Sequence, residues 1–141
     1  MRVDPHSTAM SMIGLKQAAH TMLSKQELHA LADGLLVQDS TAIDDCIAFV
    51  LAETRGLWHG RARAMMCRRL KHCALGRTQS TQLLTCILQR LHTGAFSEQF
   101  KDQLRLAMHL NAKQTLAAGE EAMASGRSHV RRYALWLASL P

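Results

Sequence analysis

Acidic residues are absent from one long stretch of this sequence. Residues 55–97 hold eight lysines and arginines and no aspartate or glutamate, whereas residues 1–54 have a net charge of −4 and residues 98–141 one of +2. The net charge of +6 is therefore concentrated in the middle of the chain. Such a segment creates positive potential that attracts anionic partners.

Proline and aromatic residues are scarce. The 141 residues include only two prolines and three phenylalanines, while leucine, alanine, methionine, glutamine and arginine are frequent. This composition favours helices over strands, and the length suits one domain with its own core. We expect an all-α fold in which residues 1–10 form a flexible N-terminal tail and residues 11–141 a single all-helical domain.

Long apolar runs and paired cysteine motifs are also missing. The N-terminal segment MRVDPHSTAMSMIGLKQ has no run typical of a signal peptide or a membrane span. The four cysteines lie singly within apolar helical patterns, without a CxxC pair, which is typical of reduced, buried thiols. We therefore expect a cytoplasmic protein with no membrane partner.

No residue cluster indicates catalysis. Asp44 and Asp45 are adjacent on a predicted helix, so their side chains point about 100° apart, a poor geometry for a paired acid and base. The histidines and cysteines do not collect three or four metal ligands at helical spacing, and the glycines lie at helix ends. We expect no catalytic residues, no metal and no cofactor, and hence a protein that is not an enzyme.

Capping residues and apolar spacing predict seven or eight short antiparallel helices. Ser24 and Glu27 have the spacing of a capping box, Ser40 or Thr41 is expected to cap the third helix, and Gly94 is expected to end another. The helices are predicted at about 12–23, 24–36, 41–54, 60–74, 78–93, 97–110 and 112–125, with a last one capped by Ser128. Short turns between them favour antiparallel neighbours.

One helical sequence pattern is repeated along the chain. The segment HGRARAMMCRRL at 59–70 returns as HVRRYALWLASL at 129–140, and FKDQLRLAMHL at 100–110 aligns with the second copy. One apolar helix separates each copy from the next, so the unit is a helix pair with the period of α-solenoid repeats. HVRRYALWLASL resembles the HEAT-repeat signature, which implies a small HEAT-like α-solenoid over roughly residues 40–141. A right-handed helical bundle is the alternative.

The first copy is amphipathic, with a basic face opposite an apolar arc. That arc is predicted to include Ala74 at its end, and Trp58, in the preceding turn, would be either a wedge between helices or a contact at the rim of the basic face. Arginine outnumbers lysine twelve to five in the chain and suits forked contacts with phosphate or carboxylate. The alternatives are a solubilising surface and an anion-binding surface. The basic face consists of Arg61, Arg68, Arg69, Lys71 and His72.

Arg63 points into the apolar arc of the same helix. An unpaired guanidinium is costly there. We expect a carboxylate partner from Asp44, Asp45 or Glu53.

The last helix carries few charges on its outward side. A terminal solenoid unit needs a polar outer face, yet this helix has aromatic and aliphatic residues there. Either the N-terminal helix folds back to cover this side, or it is an edge for a partner or for self-association, formed by Arg131, Arg132, Leu135 and Trp136.

These observations favour a non-enzymatic helical-repeat interaction or scaffold module. It would bind another macromolecule through one face of the stack, with an unidentified protein as the expected partner. The alternative is sequence-independent binding of a nucleic-acid backbone through the basic segment 55–77.

Overall fold

The chain folds into α-helices throughout the part that the computed structural model describes, which is residues 23–52, 54, 58–96 and 99–141. No strand occurs in that part, so the all-α prediction is confirmed. The predicted tail at 1–10 and the predicted helix at 12–23, apart from its last residue, lie outside it. The helices are α1 (Lys25–Gly34), α2 (Ser40–Leu51), α3 (His59–Leu70), α4 (Arg77–Thr93), α5 (Lys101–Leu110), α6 (Ala112–Ala122) and α7 (Ser128–Ala138), with a 3-10 turn at Leu35–Val37.

Local capping signals place several helix ends. Ser24 and Glu27 form the predicted capping box, in which each side chain bonds the other residue's backbone amide. Gly94 ends α4 in the left-handed conformation, with φ at 77°, as predicted. The start of α2 differs from the prediction, because the carboxylate of Asp39 caps it by accepting from the amide of Ala42 at 2.8 Å.

Two further helix ends differ from the prediction. α3 ends at Leu70 because the amides of His72 and Cys73 bond to carbonyls three residues back, and the chain turns. Ala74 is therefore exposed, although the predicted helix would have buried it. Ser128 is the first residue of α7 and not its cap, since Arg127 occupies the cap position.

The helices form two layers. Along one layer α1 packs beside α3 and α3 beside α5, and along the other α2 packs beside α4 and α4 beside α6. The sequential pairs α1–α2, α2–α3, α4–α5 and α5–α6 join the layers, and α7 packs chiefly against α6. This arrangement is a helical bundle, while the regular HEAT-like solenoid stays a prediction.

The core runs between the layers and draws on every helix. Its largest fully buried side chains include Phe49, Met66, Leu83, Leu104 and Leu137. Burying each such side chain stabilises the fold by roughly 1.5–3 kcal/mol.

A separate cluster of rings closes the core between the start of α5 and α7. Phe96 stacks on Phe100 with ring centroids 4.2 Å apart, and Tyr133 meets both rings edge-on. His129 packs against Phe96 at 5.1 Å. These aromatic contacts hold α7 beside the start of α5.

Candidate functional site

Side chains of α5 connect the predicted basic face on α3 with the predicted C-terminal edge on α7. Asp102 accepts hydrogen bonds from Nη1 of Arg68 on α3 at 2.8 Å and from Nη1 of Arg105 at 3.2 Å. The guanidinium carbon of Arg105 lies 5.1 Å from the centroid of the Trp136 ring on α7, and Nζ of Lys101 lies 5.3 Å from it. A continuous chain of polar and cation–π contacts therefore crosses three helices.

A second, separate ion pair links α3 to α1. Nη1 of Arg69 lies 3.1 Å from a carboxylate oxygen of Asp33. The two sets of contacts together involve α1, α3, α5 and α7. We call this surface the outer face, defined by Asp33, Arg68, Arg69, Lys101, Asp102, Arg105 and Trp136.

The ion pairs change the electrostatics of the predicted basic face more than they change stability. In each pair one side chain is exposed and the other is largely covered: Arg68 and Asp102 are 55% and 13% exposed, and Arg69 and Asp33 are 26% and 63% exposed. Pairs with one partner in solvent contribute on the order of 1 kcal/mol. Their two carboxylates nevertheless offset part of the positive charge that the sequence concentrates in α3. The sequence pattern does not show this, because Asp33 and Asp102 lie outside the basic segment.

The other predicted basic residues lie at the two ends of α3. Arg61 is exposed at the N-terminal end, with its guanidinium carbon 5.4 Å from the centroid of the Trp58 ring. Lys71, half-buried, and His72, exposed, follow the C-terminal end. Neither has an ion-pair partner among the described residues.

The predicted C-terminal edge divides into residues held by internal contacts and residues open to solvent. Arg131 donates to the carbonyl oxygen of Ser125 at 2.7 Å, and Arg132 lies 5.6 Å from the Tyr133 ring centroid. Leu135 is 62% exposed, as its outward position in the sequence pattern predicts. The apolar part of this edge therefore consists of Leu135 next to the half-buried Trp136.

Arg63 is buried as predicted, but its predicted carboxylate partner is wrong for Asp44 and Asp45. Nη2 of Arg63 donates to the hydroxyl of Thr54 at 2.6 Å, to the carbonyl of Thr54 at 3.0 Å and to that of Ala52 at 3.3 Å. These carbonyls are available because α2 ends at Leu51, so Ala52 and Thr54 follow the helix and their carbonyls take no part in its hydrogen bonds. The third candidate, Glu53, lies outside the described residues.

Burial governs the ionisation of this side chain. Burial, and to a smaller extent repulsion from the neighbouring Arg90, lowers the pKa of Arg63 to about 10. The guanidinium remains charged near pH 7. Arg63 is thus a structural cation at the end of α2 and no part of the outer face.

A groove between α1 and α3 opens at one end of the outer face. It has a volume of about 260 Å³, and Lys25, Trp58 and Arg61 stand at its mouth. Nζ of Lys25 lies 4.1 Å from the centroid of the Trp58 ring. We call it the Trp58 groove, and it is lined by Lys25, Leu28, His29, Trp58, Arg61, Ala62 and Met65.

The sequence indicates only part of this groove. Its pattern predicts Trp58 as a wedge or a rim contact, and the residue is 37% exposed beside the groove. The sequence does not indicate that Lys25 and His29 line the groove, because no local pattern shows that α1 packs beside α3. The capping box at Ser24 predicts that the helix begins at Lys25, but it does not show which other helix α1 packs against.

No family model, curated protein or solved structure matches this chain. Within the described residues, no three histidine, cysteine, aspartate or glutamate side chains gather at metal-binding distances. None of the helices described there has both the length and the hydropathy needed to cross a bilayer.

Proposed function

We propose that the chain is a non-enzymatic helical interaction module that binds another macromolecule, most readily a protein, through its outer face. The observation that carries this proposal is the pair of contact sets, Asp33 with Arg69 between α1 and α3, and Arg68 through Asp102 and Arg105 to Trp136 between α3, α5 and α7. It makes four helices present one surface of mixed charge with an aromatic edge.

The chemistry of the outer face suits a protein partner. Arginine and tryptophan are the residue types that contribute most to binding at protein interfaces. Arg68, Arg105 and Trp136 lie next to one another here, with the exposed Leu135 at the margin. Arginines that are already held by Asp102 lose less side-chain freedom on binding, which favours association.

The setting proposed for this interaction is the cytoplasm. All four cysteines lie in the described part of the chain as reduced thiols, and two of them, Cys46 and Cys67, are buried. Reduced cysteines of this kind are typical of a reducing compartment.

The test is quantitative capture from native cytoplasm with charge-reversed variants. Arg105→Glu reverses the charge beside Trp136, whereas Lys113→Glu makes the same kind of change on α6, away from the outer face. We expect a reproducible set of captured proteins to fall at least fivefold with Arg105→Glu and to persist with Lys113→Glu. Equal capture by both variants would exclude the outer face as the binding surface.

Sequence-independent nucleic-acid binding through the segment 55–77 is the competing proposal. Arg68 and Arg69, two of its cations, already bind carboxylates, which weakens the attraction for phosphate. Nuclease treatment of the cytoplasm before capture separates the proposals. Capture that survives nuclease supports a protein partner, and capture that is lost supports nucleic acid.

A further inference from the structure

The Trp58 groove contains two cations without carboxylate partners. Lys25 and Arg61 form no ion pair within the described residues, whereas Arg68 and Arg69 on the same side of the molecule each bind one. Both unpaired cations lie against one ring, that of Trp58. Like charges held close together repel each other, so an anion placed between them would be attracted by both.

The backbone at Trp58 holds the ring in place at a cost. Its φ is 71°, in the left-handed region, which a residue with a bulky side chain rarely adopts. The conformation places the ring between α1 and α3, where it contacts both cations. Strain of this kind persists where the surrounding structure requires it and is concentrated at binding sites.

The N-terminus of α3 adds to the positive potential. Trp58 occupies the cap position but forms no side-chain hydrogen bond to the first turn. The partial positive charge of the helix end is therefore not offset by a capping oxygen. His29 lines the same groove and supplies a further polar group.

The inner part of the groove is apolar. Leu28 and Ala62 are buried and form its floor, and Met65 is half-buried beside them. Methionine adapts its shape to flat ligands. A volume of about 260 Å³ suits a small body of one or two rings and excludes a large one.

We propose that the Trp58 groove is a binding site for a small organic carboxylate with a flat apolar body. The carboxylate would accept hydrogen bonds from Arg61 and Lys25, and the apolar body would lie on Leu28 and Met65. A bare inorganic anion would leave the apolar floor unused, and a neutral apolar compound would leave both cations without a partner. This site does not depend on the interaction proposed for the outer face.

The test follows the indole N–H signals by NMR during titrations with three probes. The chain has two tryptophans, and Trp136→Phe assigns the signal of Trp58. The probes are 2-naphthylacetate, the neutral 2-naphthylethanol and acetate, which lacks the apolar body. We expect 2-naphthylacetate to shift the Trp58 signal with a Kd on the order of 1 mM, the affinity typical of a ligand of this size.

Matched variants test whether the positive charges of Arg61 and Lys25 bind the carboxylate. Arg61→Gln and Lys25→Gln should each weaken 2-naphthylacetate at least fivefold, while Arg77→Gln, at the exposed start of α4, should leave its Kd unchanged. The neutral probe should bind at least fivefold more weakly than the carboxylate, and acetate more than tenfold more weakly. The proposal is overturned by an unshifted Trp58 signal at 10 mM 2-naphthylacetate, by equal binding of the neutral probe or of acetate, or by variants that bind as wild type does.

Discussion

Arg63 and Arg90 donate hydrogen bonds to the same atom, the carbonyl oxygen of Ala52, over 3.3 Å and 3.5 Å. Both side chains are buried. They meet at the C-terminal end of α2, where the free carbonyls and the helix dipole favour cations. Arg90 also donates to the carbonyl of Leu51 and to Oε1 of Gln103, so it ties α2 to both α4 and α5.

The first prediction concerns the hydrogen bonds that Arg90 donates. Arg90→Met should lower the free energy of unfolding by about 3 kcal/mol, because the acceptors on Leu51 and Gln103 lose their donor and that on Ala52 loses one of its two donors. Urea denaturation measures the loss. Arg77→Met, at an exposed position of the same helix, should change stability by less than about 0.5 kcal/mol. Equal losses in the two variants would show that the buried contacts contribute nothing.

The second prediction concerns the left-handed turn at Gly94. An alanine there would have to keep the strained φ of 77°, and its Cβ would lie about 3.0 Å from Cδ of Arg127 and Nε2 of His129. Gly94→Ala should therefore destabilise the fold by about 1–3 kcal/mol. Gly126→Ala is the matched control, since a Cβ there meets nothing within 4 Å. Thermal melts that lower Tm equally for both variants would contradict the argument.

The third prediction is a loss of stability at alkaline pH. Burial raises the pKa of the Cys46 and Cys67 thiols from 9.0 to about 12. Above pH 9 the folded chain keeps these protons and the unfolded chain releases them, so stability is full below pH 9 and is lost as pH rises towards 12. The loss approaches about 1.4 kcal/mol per pH unit for each thiol.

Denaturation between pH 8 and pH 10 measures this slope. Cys67→Ala should make the free energy of unfolding fall less steeply with pH, independently of its effect on stability at pH 8. The range stops at pH 10 because the lowered pKa of Arg63 acts above it with the opposite sign, since there the folded chain loses its proton first. Parallel curves for wild type and Cys67→Ala would show that this thiol ionises alike in both states.

The fourth prediction concerns the carboxylate on the outer face. Asp102→Asn should release Arg68 and Arg105 and so strengthen binding to a single-stranded oligonucleotide severalfold at 50 mM salt. Each additional phosphate that these arginines neutralise should steepen the dependence of log affinity on log salt by roughly 0.7. Glu120→Gln changes the charge equally at an exposed position of α6 and should have a smaller effect. An unchanged affinity for Asp102→Asn would mean that Asp102 does not restrain these arginines.

The fifth prediction concerns Leu135. If this residue contributes to self-association, wild type should sediment with a rising average mass as concentration increases, and Leu135→Glu should sediment as a monomer. Leu116→Glu, at a 43% exposed leucine on α6, should behave as wild type does. A monomer in all three samples would remove the self-association hypothesis and leave a partner protein as the use of this edge.

Local signals predict the helices because capping and periodicity act over a few residues. The box at Ser24 and the stop at Gly94 are examples, and the helical wheel places Arg63 in the core correctly. The helical wheel cannot show the acceptors of Arg63, because they belong to Ala52 and Thr54 after the end of α2, and backbone carbonyls have no side-chain signature.

The charge of the outer face is harder to predict for a different reason. Asp33 and Asp102 are 36 and 34 residues away from the arginines they bind. Their proximity depends on α1 and α5 packing on either side of α3. The distribution of charge along the sequence therefore overstates the positive potential of α3.

The aromatic cluster between α5 and α7 has a consequence for folding during synthesis. Phe96 and Phe100 emerge from the ribosome well before Tyr133, whose ring covers both. Until residues 128–138 follow, the preceding helices expose this apolar surface, and partly folded chains of this kind tend to aggregate. Newly made chains should therefore bind chaperones most strongly in the interval before α7 docks.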